Sequence, residues 1–155
     1  MKFIVKSLVG LIFIAIAVIQ FIRPNLSNPP VTESKRIEHS IEIPSDVQAI
    51  LNRSCKDCHS NETIYPWYSN VQPIGWFVTD HVEEGRRELN FSEWGGYSDS
   101  RKRRKLKQIC EQAESGEMPL PSYLIMHPNA KLSVNDVKIL CEWTEKEIQR
   151  IPEEK

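Results

Sequence analysis

"RSCKDCHSNE", residues 53–62, sets Cys55 and Cys58 two residues apart and follows them directly with His59. A covalently attached haem needs two thioether bonds to its vinyl groups and an iron ligand on one face. Cysteines about one helical turn apart can span the vinyls, and the adjacent histidine then falls under the iron. Structural zinc needs four ligands, usually from a second CxxC or CxxH pair. Here Cys110 and Cys141 stand alone on separate apolar stripes. A thioredoxin-like redox motif asks for a βαβ context, and no such pattern is visible. A plain disulfide or two packed thiols complete the alternatives. The compartment decides among them, because an exported CxxC with no cofactor tends to oxidise.

The N-terminus bears on the compartment. "MKFIVKSLVGLIFIAIAVIQFIRP" places Lys2 and Lys6 before a run from Ser7 to Ile22 whose only polar residues are Ser7 and Gln20. The run is at the short end for a membrane helix, which typically takes about 20 residues. No small-x-small cleavage site follows it, so residues 1–24 read as a retained signal anchor rather than a signal peptide. A buried core helix fits less well with the terminal position and basic flank. Lys2 and Lys6 favour an inside N-terminus; Arg23, Lys35 and Arg36 oppose it. A short free N-terminus normally stays inside while the rest is exported. The expectation is a single-pass protein of a bacterial inner membrane with its remaining residues in the periplasm.

Residues 25–43, rich in Pro, Ser and Asn, read as a flexible tether, with the folded domain over 44–150. Four helices are expected there. Val47, Ile50 and Leu51 share one face after a possible N-cap at Ser45. Ile74, Phe77, Val78 and His81 share another after Pro73. Leu106, Ile109, Cys110 and Ala113 form a stripe ended by Gly116. Ser133 and Asp136 open a last helix carrying Val137, Leu140, Cys141, Thr144 and Ile148. No segment alternates, so the fold class is all-α, with two long loops that wrap something or carry function. Cys110 and Cys141 read as core residues of facing helices, with a disulfide between them possible.

A net charge of −1 provides no global field for nucleic acid. The mean hydropathy of −0.42, despite the apolar N-terminus, implies a polar remainder with a thin core, of the kind that a cofactor or disulfide often supplements. The charge run "SRKRRKLKQ", residues 100–108, reads first as a solvated helix face. Its functional readings are docking to an acidic redox partner or to anionic lipid headgroups. Trp67 and Trp76 flank the loop after the CxxCH and could line a haem edge, with ordinary packing equally open to them. His39 falls in the tether and reads as solvated.

The chain resembles the bacterial haem-binding domain family, small exported proteins related in motif to cytochromes c. The resemblance is carried by "NPPV", "CKDCHSNETIYPWYSNVQPIGW", "DHVEEGRRELNFSEW", "SGEMPLPSYLIMHPNAKLS" and a closing "CEW". It implies a small cytochrome c-like helical domain that binds haem. On that footing Cys55 and Cys58 anchor haem c and His59 is the proximal iron ligand. Met118, in "GEMPLP" about 60 residues on, looks like the methionine ligand of single-haem cytochromes c. His81, His127 and Met126 are the competing sixth ligands, and His127 has a second possible role beside a haem propionate. Trp143 is expected against the first helix of the domain, as terminal helices cross in cytochromes c. The function implied is single-electron transfer to or from a redox partner in or near the membrane, with lipid engaged through the anchor. No acid–base constellation marks an enzyme. A small peroxidase or gas sensor with an open or displaceable sixth site is the alternative, and a structural module completed by haem is a third.

Overall fold

The structure, a computed structural model, describes residues 2–152. Among them are seven α-helices, a handful of 3₁₀ turns and no strand, so the all-α expectation holds. Helix α1 (Lys2–Ile19) stands apart from the core and buries none of its side chains. It is the one helix among the described residues long and apolar enough to cross a membrane. Its 18 residues, at ~1.5 Å each, reach close to the ~30 Å of a hydrocarbon core.

The domain is built from α2 (Ser45–Ser54), the single-turn α3 (Lys56–His59), α4 (Ile74–Glu88), α5 (Asp99–Ser115), the short α6 (Pro121–Met126) and α7 (Val134–Arg150). Helix α7 lies along α5 and against α2, while α4 packs on α3. Val47, Ile50, Leu51, Leu106, Leu140 and Trp143 form the buried centre, together with Phe91 and Trp94 from the connection after α4. Trp143 thus packs with the first helix of the domain, as expected, and its indole N–H donates to the Glu42 carbonyl (2.9 Å). Cys110 and Cys141 form a disulfide between α5 and α7.

Local signals set the helix ends. Ser133 and Asp136 form a reciprocal capping box at the start of α7. Gly116 ends α5 with φ at 73°, a left-handed geometry that an L side chain resists. Ser45 is the first residue of α2 and makes no cap bond; the possible N-cap there is not formed. Helix α6 falls within a stretch read as loop. Pro121 opens it and only six residues follow the helical path, too short for a periodic signal.

Two other expectations are corrected. The proposed tether is not free throughout. Ile37 is buried in the core and its N–H donates to the Phe91 carbonyl (2.8 Å). Asn28 donates to the Thr63 carbonyl (3.0 Å). The folded unit therefore begins well before Pro44: Ile37, Ile41 and Ile43 all reach the core, but three apolar residues at uneven spacing among polar ones form too short a pattern to mark an element. The basic run is not simply a solvated face either. Lys105 is buried, Arg103 donates to the carbonyls of Ile148 and Ile151 at the end of α7, and Arg101 stacks 4.0 Å over the Tyr97 ring.

Candidate functional site

The site starts from a break in the chain. Helix α2 ends at Ser54, Cys55 adopts a non-helical φ of −129°, and α3 restarts for the single turn that contains Cys58 and His59. The break turns the motif out of the α2 axis and onto α4. Gly85 permits the contact: a Cβ there would stand 2.7 Å from the Cys58 carbonyl oxygen and 3.1 Å from its Cβ.

This close approach orients His59. Its Nδ1 lies 2.9 Å from the Gly85 carbonyl oxygen and 3.0 Å from that of Leu89. Carbonyls only accept, so Nδ1 carries the proton and Nε2 keeps its lone pair. Burial pushes the imidazole pKa down, which also favours the neutral ring. A neutral histidine with Nδ1–H tied to backbone carbonyl is the arrangement that presents Nε2 to a metal.

The backbone of the motif is clamped by the "NFSEW" stretch. The Phe91 N–H donates to the His59 carbonyl (2.8 Å), Asn90 Nδ2 to Asn61 Oδ1 (2.8 Å), and the Asn61 N–H to Ser92 Oγ (3.0 Å). Arg86 of α4 binds the Ser60 carbonyl, Thr63 Oγ1 and Asn28 Oδ1. The latter joins "NPPV" to "CHSNET". Most of these polar groups are buried, and they satisfy one another.

Three adjoining cavities surround the motif. The first, about 290 Å³, is lined by Cys55, His59, Met118, Lys105 and apolar residues of α5 and α7. The central one, about 240 Å³, brings Cys55, Cys58, His59, His81 and Met118 together. The third, also about 240 Å³, contains Cys58, Tyr68, His81, Tyr123, Met126 and His127. The first and central cavities, both lined by Cys55, His59 and Met118, together reach the ~300–1,000 Å³ of a cofactor-sized site. Burial drives the Cys55 thiol pKa up to about 12 and that of Cys58 up to about 11. Both are therefore neutral thiols near pH 7, slow to enter thiolate-dependent disulfide exchange. Ser54 Oγ, on the wall of the first and central cavities, is buried with no partner.

A family model for the haem-binding domain matches residues 14–146. The chain belongs to the haem-binding domain family. Haem binding comes with that membership, and the donors fit the group: two thiols, an imidazole with a free Nε2 and a thioether line the central cavity. Comparison with curated proteins and with solved structures returned no match.

In this haem-binding domain the candidate sixth ligands line different cavities. Met118 shares both the first and the central cavity with His59, and its N–H is pinned to the Gln112 carbonyl (3.1 Å) past the α5 terminus. His81 shares the central cavity, with its ring against Phe77 (4.1 Å between centroids) and Nδ1 on the Phe77 carbonyl. Met126 and His127 line only the third cavity. His127 stacks on Tyr123 at 4.1 Å. Trp67 opens onto that cavity too. Trp76 instead donates to the Ile22 carbonyl (2.8 Å) and lines none of the three cavities. His39 is exposed beside Glu33.

Three residues of the site escaped sequence reasoning. Lys105 lines the first cavity as a buried ammonium whose partner, Glu88, is largely in solvent at 3.3 Å. Its signal was hidden inside a charge run. Tyr123 donates to Asp57 within the CxxCH (2.7 Å), and burial and this carboxylate push its pKa far up. Gly85 had no sequence signal, because a glycine in a helix looks the same whether or not a neighbour presses on it.

Proposed function

We propose that this protein is a membrane-anchored, periplasm-facing monohaem c-type cytochrome-like electron carrier. The observation that carries the reading is the convergence of Cys55, Cys58, His59 and Met118 on one space, with His59 Nδ1 engaged by two carbonyls. Cys55 and Cys58 would hold the porphyrin through thioethers, His59 Nε2 would ligate the iron and Met118 Sδ would be the sixth ligand. Bound haem supplies a one-electron Fe(III)/Fe(II) couple. The chain's own part is to fix the imidazole, exclude water with the Leu89, Phe91, Ile109 and Leu140 wall, and set the local charge through Lys105. Helix α1 supports anchoring by its length, its apolar character and its lack of a packing partner. The Cys110–Cys141 disulfide supports an oxidising compartment.

The test is expression in a host with cytochrome c maturation machinery. Haem should remain on the polypeptide through acid–acetone extraction and a denaturing gel, and Cys55→Ala with Cys58→Ala should release it. Complete loss of haem from the wild-type chain would refute covalent attachment. Met118→Ala should abolish the weak far-red band of thioether-ligated ferric haem, lower the reduction potential and let carbon monoxide bind the reduced protein; Met126→Ala should do none of these. An unchanged spectrum in Met118→Ala, with an altered one in His81→Ala, would make the iron bis-histidine. Carbon monoxide binding to the reduced wild-type protein would favour the peroxidase or sensor reading.

A further inference from the structure

From Thr63 to Thr79 the chain carries no charged residue, in a protein where 26% are charged. Much of that segment lies at the surface. Trp67 is 74% exposed, Ile74 48% and Phe77 51%, with Ile64 and Val71 exposed beside them. An uncharged, aromatic-rich patch on a polar domain normally marks a covered surface.

The structure also indicates what covers it. The Gln20 amide, just past the end of α1, forms a reciprocal pair with the Gln72 backbone: Nε2 donates to the Gln72 carbonyl (2.9 Å) and Oε1 accepts from the Gln72 N–H (3.0 Å). Trp76 donates its indole N–H to the Ile22 carbonyl (2.8 Å). The end of α1 is thus fastened between Val71 and Phe77, in the middle of the patch. Phe21 and Ile22, both exposed, continue the apolar surface of α1 into it.

We propose that this patch of Trp67, Val71, Ile74 and Phe77 seats in the headgroup boundary of the lipid bilayer, so that the domain lies on the membrane in one orientation rather than swinging on a leash. The inference rests on the anchoring reading of α1. Aromatic side chains with a polar tip prefer that boundary, and apolar side chains buried there add to an anchor's hold. A lipid surface fits better than an acidic or basic protein partner, because the patch offers no charge for either. The third cavity, lined by Trp67, Ile74 and Phe77 and reaching Cys58, would then open toward the bilayer.

The full, haem-loaded chain provides the test. The wild-type chain, treated identically, reports any label taken by Cys55 or Cys58, so that adducts are assigned to the introduced cysteine. Trp67→Cys, Ile74→Cys and Phe77→Cys, each carrying a benzophenone maleimide attached in detergent, are reconstituted into vesicles of phosphatidylcholine and phosphatidylglycerol and illuminated. Phe13→Cys in α1 and Lys138→Cys on the exposed face of α7 are the references, and the visible spectrum confirms folding. Phospholipid adducts at the three patch positions should exceed those at position 138 by on the order of tenfold, as apolar contact with lipid requires. Adducts at position 13 without any at 67, 74 or 77 would overturn the seating and leave the anchor intact. No adduct at position 13 would overturn the anchor and the seating together. Chain-to-chain products at the patch would assign it to a second copy and overturn the lipid assignment.

Discussion

Gly85 and His59 depend on each other. The glycine lets α4 approach Cys58, and its own carbonyl oxygen is one of the two acceptors of His59 Nδ1. Gly85→Ala should force the helices apart and cost about 1–3 kcal/mol, the usual range for overpacking. Urea titration of the loaded protein should show the lower midpoint, and haem content per chain should fall with it. Lys105 and Glu88 form the second residue-scale pair. With haem bound as proposed, the Lys105 ammonium on the wall of the first cavity would disfavour a further positive charge on the iron. Lys105→Gln should therefore lower the reduction potential and Glu88→Gln should raise it, as read by optical redox titration. Equal shifts in one direction would show that packing, not charge, is what the pair contributes. The CxxCH is visible in the sequence because the covalent attachment proposed for it would need only a local spacing. Lys105 was not, because its burial depends on a helix face meeting a cavity built from distant segments.

At the scale of elements, α7 is held at its start by the Ser133–Asp136 capping box, and Arg53 of α2 adds a 3.0 Å bond to the same carboxylate. The backbone N–H of Ser133 is the main cause that holds the Asp136 carboxyl below its ordinary 3.8, with the Ser133 hydroxyl and Arg53 adding to it. The unfolded chain binds the proton more readily, so this stability is fully present above the ordinary value and is lost as pH falls through the lowered one. Ser133→Ala should cost about 0.5–2 kcal/mol at neutral pH. Asp136→Asn should flatten the acid limb of a stability-against-pH curve measured by denaturant unfolding; an unchanged limb would place the acid sensitivity in other carboxylates. The buried Asn90–Asn61 bond holds the connection after α4 onto the haem motif. Asn90→Ala would take from Asn61 Oδ1 its donor and from the Ser92 N–H its acceptor and should cost about 1–3 kcal/mol, seen as a lowered thermal midpoint.

Across the whole molecule, stability rests on a modest helical core closed by one disulfide. Cys110 and Cys141 are 31 residues apart in sequence, and a crosslink closing a loop of that size typically contributes about 2–4 kcal/mol by restricting the unfolded chain. Replacing both cysteines by serine should lower the denaturant midpoint accordingly while leaving haem content per chain unchanged, since the pair lies outside the CxxCH. If the double serine variant matches wild type, packing of α5 on α7 suffices without the crosslink.

The sequence alone determined the features written in adjacent residues: the apolar α1, the CxxCH spacing, the stripes of α2, α5 and α7, the capping box and the glycine stop; the stripe expected on α4 is corrected, since that helix buries Gly75, Thr79 and Val82 and leaves Ile74 and Phe77 half exposed. Periodicity and spacing express themselves within one or two helical turns, so no folded context is needed to read them. Tertiary structure decided what depends on which segments meet. It brought Ile37 into the core from a stretch that looked like a linker, set Met118 on the same space as His59 while leaving Met126 on another, and buried Lys105 out of a run of surface-like charges. It also fastened the end of α1 into an uncharged patch. Burial, and the neighbours it brings, is a property of the packed chain, and residues of one type at similar spacing differ only once the helices have found their partners.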